Sequence, residues 1–67
     1  MSEELEALAD EIGDLADRVG DLIYDALRAQ NRGGDQVEAA RERERQLARA
    51  RRSLVKAAQV LQELSGE

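Results

Sequence analysis

The residues with chemistry to offer are charged and regularly spaced. Asp10, Asp14, Asp17, Asp21 and Asp25 follow one another at steps of three and four, the spacing that keeps side chains on one face of an α-helix. Arg41, Arg45, Arg49, Arg52 and Lys56 do the same further along. A row of carboxylates offers oxygen ligands to Mg²⁺ or Ca²⁺, but a straight helix lays them in line and does not wrap them around an ion. The Glu-x-x-His element of di-iron bundles is missing, because the chain has no histidine. No metal site is expected. The acidic row reads as a solvated face, or as a surface for arginines of another chain. The basic row covers about 22 Å at 1.5 Å per residue and could track nucleic-acid phosphates.

Catalysis finds little support. Without histidine or cysteine the usual general base, nucleophilic thiolate and thiolate metal site are all absent. Ser2, Ser53 and Ser65 have no base close in sequence, and Gly33-Gly34 follows no strand that would make it a phosphate cradle. The reading is a non-enzymatic protein with no cofactor and no small-molecule substrate. No run of about 18 apolar residues exists to span a bilayer, and Met1-Ser2-Glu3-Glu4 does not open a signal peptide. The acidic polar face of the first half would be repelled by anionic lipid. A cytoplasmic location is the expectation.

The net charge of −5 conceals a division. Residues 1–32 hold nine acids and three arginines, whereas residues 41–56 hold seven bases against Glu42 and Glu44. The elements that carry these rows are two helices. The chain has no proline, and it is rich in Ala, Leu, Glu and Arg, all good helix formers. Its one cluster of helix breakers is Asn31-Arg32-Gly33-Gly34-Asp35. Helices are predicted at about 3–31 and 36–64, with a turn at about 32–35. Ser2 would cap the first helix, and Asp35 with Glu38 would form a capping box on the second. Ser65-Gly66 would close it. A turn this short makes the helices antiparallel, residue i facing about 67 − i. On that rule the basic segment lies beside Glu11, Asp14, Asp17, Asp21 and Asp25, so the charges are expected to match inside the hairpin.

Two apolar seams run along the first helix. Leu5, Leu8, Ile12, Leu15, Val19, Leu22, Ala26 and Ala29 alternate steps of three and four, a coiled-coil pattern. Beside it lies a seam with smaller residues: Ala9, Gly13, Ala16, Gly20, Ile23 and Leu27. Glycine inside a helix costs roughly 1 kcal/mol against alanine, so a helix approaching closely over these residues is expected. Tyr24, the one aromatic residue, extends that patch. The second helix has one seam, Ala40, Arg43, Leu47, Ala50, Leu54, Ala57, Leu61 and Leu64. Arg43 and Arg51 would lay their stems on it with their heads in water.

One partner helix cannot cover both seams of the first helix. The chain has 67 residues and no disulfide or metal staple, so association is the remaining route to stability. The expected architecture is an all-α antiparallel two-helix hairpin that dimerises into a four-helix bundle. The self-association or partner surface is assigned to Leu5, Leu8, Ala9, Ile12, Gly13, Ala16, Gly20, Ile23, Tyr24, Leu27, Leu54, Leu61 and Leu64. A homodimer with a protein partner is the first reading. In length and pattern the chain resembles the RNA-binding two-helix proteins of plasmid copy-number control, which implies nucleic acid on Arg41, Arg45, Arg49, Arg52 and Lys56 as the alternative.

Overall fold

The computed structural model describes residues 2–31 and 34–66. Two helices account for nearly all of them: α1, Glu3–Asn31, and α2, Val37–Ser65. They pack side by side as an all-α hairpin. The Ser2 hydroxyl caps α1, accepting a hydrogen bond from the Leu5 N–H at 3.1 Å. α2 starts differently from the expected capping box. Its N-cap is Gln36, with helical dihedrals and no side-chain cap bond. The Glu38 carboxylate is turned to Arg41 at 3.3 Å instead. Gly34 takes the left-handed conformation, φ 82°, which suits a residue without a Cβ; Arg32 and Gly33 of the expected turn lie outside the described residues. The α2 C-terminus is closed by the Gly66 N–H on the Gln62 carbonyl at 3.0 Å.

Two hydrogen bonds between the arms of the hairpin fix the register. Arg51 Nε donates to the Ala16 carbonyl at 3.2 Å, and Ser65 Oγ donates to the Ser2 carbonyl at 3.3 Å. In both pairs the residue numbers add to 67, the antiparallel rule expected of the short turn.

The core of the hairpin is made of small residues. Ala9, Ala16, Ala26, Ala40, Ala58 and Ser65 are buried, and among the described residues no large side chain is fully enclosed. Between and beyond the buried positions of α1, the half-buried Leu5, Ile12, Val19, Ile23 and Gln30 continue the strip. On α2 the half-buried set includes Val37, Glu44, Leu47, Leu54 and Leu61. These inward positions step by three and four on both helices. Alanine at the contact lets the two backbones close, and leucine there would hold them apart. The molecule is a rod of 52 × 13 × 11 Å with a radius of gyration of 15.4 Å. A compact chain of this length would have a radius of gyration of about 11 Å.

Candidate functional site

The coiled-coil seam of α1 divides between two environments. Leu5, Ile12, Val19 and Ala26 turn toward α2. Leu8, Leu15 and Leu22, spaced by seven, stay 41%, 45% and 42% exposed. The inward strip thus pairs Leu5, Ile12 and Val19 with Ala9, Ala16 and Ile23, one wheel position away from the expected pairing. The seam of α2 divides in the same way. Ala40, Leu47, Leu54 and Leu61 face inward, and Arg43, Ala50, Ala57 and Leu64 are exposed.

Turning a helix end for end reverses its sense of rotation as well as its facing. Equivalent wheel positions on two antiparallel helices therefore lie on the same side of the pair. Leu8, Leu15 and Leu22 thus share one flank with Ala50, Ala57 and Leu64, and exposed Val60 borders it. The half-buried Leu5, Ile12, Val19, Leu47, Leu54 and Leu61 form its floor. Arg43 interrupts the apolar surface near the turn.

The opposite flank carries Gly13, Gly20 and Leu27. Here the structure corrects the sequence reading. Ala9 and Ala16 are consumed inside the hairpin, buried against α2, so they are not free for a second chain. No neighbouring helix closes over the glycines. A Cβ on Gly13 would meet nothing within 4 Å, and one on Gly20 would meet only the Arg51 side chain, at 3.4 Å. The Arg51 side chain passes Gly20, and its Nε donates to the Ala16 backbone carbonyl instead of standing free in water. Leu27 is exposed, as is Tyr24, whose ring has the Arg28 guanidinium 5.8 Å from its centre.

The acidic and basic rows occupy the two outer faces, each turned away from the contact between helices. All ten residues are exposed. Among the described residues the ion pairs are both within α2, Arg41 to Glu38 at 3.3 Å and Arg45 to Glu42 at 2.8 Å. The charge matching expected inside the hairpin is thus not made. The reason is geometric: the rows sit on the far sides of helices whose near sides touch. Arg49, Arg52 and Lys56 border a shallow open trough with Ser53 and Ala57. Glu42 also accepts from Gln46 at 2.8 Å. That bond first, and Arg45 second, hold its carboxyl below the ordinary glutamate range. No group of three or more acids among the described residues is placed to hold a metal ion. No helix among them is long and apolar enough to cross a membrane.

Comparison with known proteins returns no matching family model, no matching curated protein and no matching solved structure. The functional reading therefore rests on these surfaces alone.

The sequence reading placed Leu15, Leu22, Ala50 and Ala57 in the seams but left them, with Val60, out of the assigned interaction surface. The signal for them was present in the seven-residue step Leu8, Leu15, Leu22, a single line along a helix.

Proposed function

We propose that this chain is a non-enzymatic protein-interaction module, an adaptor, docking element or small regulator, that pairs with a second copy through its apolar flank to form a four-helix bundle. The observation that carries the reading is the line of exposed Leu8, Leu15 and Leu22 beside Ala50, Ala57 and Leu64. Contiguous apolar surface rimmed by charge marks an interaction site. The area supports it too. The chain exposes 5208 Å², against about 4,200 Å² for a compact monomer of this mass. The excess, about 1,000 Å² per copy, is of the size that stable interfaces bury on each partner. A two-fold dimer uses the same patch twice, and a second hairpin offers a flank of matching length.

Nucleic acid on the basic row has less to stand on. Two of its five cations already have glutamate partners on their own helix. The one aromatic side chain, Tyr24, belongs to the other helix, so no base-stacking platform accompanies the row.

Sedimentation equilibrium at about 300 mM salt, where the Debye length is under 10 Å, tests the dimer. The expected species has twice the 7.4 kDa chain mass. Leu15→Arg with Leu22→Arg should return it to the monomer mass. A wild-type monomer at about 100 μM would exclude the dimer, since a functional interface of this size should hold at that concentration.

A further inference from the structure

The outer faces carry a pattern that the apolar flank does not explain. Along α1 the exposed row runs Asp10, Asp14, Asp17, Asp21, Asp25, Arg28, in steps of 4, 3, 4, 4 and 3. Read backwards along α2, the exposed row runs Lys56, Arg52, Arg49, Arg45, Arg41, Glu38, in the same steps of 4, 3, 4, 4 and 3. Laid antiparallel, each of these six positions is level with one of opposite charge, and the residue numbers of each pair add to 66; exposed Glu42, which the row passes over, is level with Tyr24. The sign reverses in both rows at the same place, where Arg28 meets Glu38. Sliding the register to pairs that add to 69 sets Arg28 against Arg41, and sliding it to 70 keeps four opposite-charge pairs, 14–56, 21–49, 25–45 and 28–42, in place of six. Within one chain these rows never meet, because they lie on opposite outer faces. The rows therefore fit a face of another copy.

We infer that the acidic outer face of α1 docks on the basic outer face of α2 of a second copy, antiparallel, in the register Asp10–Lys56, Asp14–Arg52, Asp17–Arg49, Asp21–Arg45, Asp25–Arg41 and Arg28–Glu38. This contact is independent of the apolar flank. It differs by only one residue from the register inside the hairpin, where pairs add to 67. Successive copies therefore lie side by side without stagger, all turns at one end. The two surfaces are different, so the contact is heterologous and propagates into a ring or an open array. Arg41 and Arg45 exchange or share their partners Glu38 and Glu42, while Arg49, Arg52 and Lys56 have no ion pair to give up among the described residues. Ion pairs this exposed are weak singly and screened by salt. The contact is one that ionic strength regulates.

Sedimentation velocity on nuclease-treated full chain tests it, at about 20 mM and about 500 mM salt, between which screening becomes severe. Assemblies larger than the high-salt species are expected at low salt. Asp17→Arg with Asp21→Arg should weaken that step at least tenfold, and so should Arg45→Glu with Arg49→Glu. An equimolar mixture of the two variants should restore it, since 17 meets 49 and 21 meets 45 with signs exchanged. Net charge gives the opposite expectation. The first variant moves the chain from −5 to −1, each substitution adding two, which by general repulsion alone would favour association. Circular dichroism on both variants checks that the helices persist. A mixture no larger than its components, a wild type insensitive to salt, or association that disappears on nuclease treatment would each overturn the inference. The last outcome would assign the basic row to nucleic acid. The mass at high salt reports the apolar flank separately, so either contact can fail without the other.

Discussion

Glu42 shows how one exposed carboxylate can be organised by its own helix. One oxygen accepts from Arg45 and the other from Gln46, each at 2.8 Å. Both bonds favour the ionised form, Gln46 contributing most, and together they outweigh the desolvation that acts the other way. A carboxyl whose pKa is lowered on folding contributes stability above its unfolded pKa. That contribution disappears as pH falls through the folded value. An NMR titration of the Glu42 side chain should therefore show a midpoint below that of an unstructured glutamate. Gln46→Ala should move the midpoint upward, because the largest cause is removed. A midpoint unmoved by that substitution would mean that the bond is not kept in solution.

At the scale of the helices, the elements were legible and their facing was not. Steps of three and four, a single cluster of breakers and the absence of proline suffice to place two helices and an antiparallel turn. The choice between inward strips was a tertiary matter. Ala9 lies level with Ala58 in the hairpin register, and small residues meeting small residues decide which strip closes. Neither helix alone carries that information. The capping box failed for a local reason: the helix starts one residue later, with Gln36 and not Asp35 at the N-cap, and Glu38 pairs with Arg41. The facing also changes what the glycines mean. Gly13 lies on the flank away from Leu8 and Leu15, and its missing Cβ leaves no close neighbour. Gly13→Ala should stabilise the chain by about 1 kcal/mol, the helix-propensity difference, or about 4–8 °C in Tm for a domain this small. Gly20→Ala should gain less, because the new methyl would press on Arg51 and its bond to Ala16. Thermal melts of both variants test the order. A destabilising Gly13→Ala would place a partner on the flank assigned here to solvent.

For the whole molecule, the alanine core and the leucine flank are two parts of one arrangement. Alanines bring the helices close, but each buries little apolar area, at about 25 cal/mol per Å². The larger side chains of Leu8, Leu15, Leu22 and Leu64 keep 41–50% of their surface. An extended chain of this mass exposes about 10,700 Å², so folding to 5208 Å² removes about half, where a compact domain of similar size removes about 60%. In the proposed dimer a second hairpin covers that missing tenth, so folding and association should be coupled. Mass action then makes stability depend on concentration. In about 300 mM salt, which screens contacts between the charged outer faces, the Tm followed by circular dichroism should rise steadily with chain concentration. Leu15→Arg with Leu22→Arg should both lower the Tm and abolish its dependence on concentration. A wild-type Tm that is high and constant over a hundredfold dilution would mean that the alanine contact is sufficient by itself. The exposed leucines would then need an explanation other than a second copy.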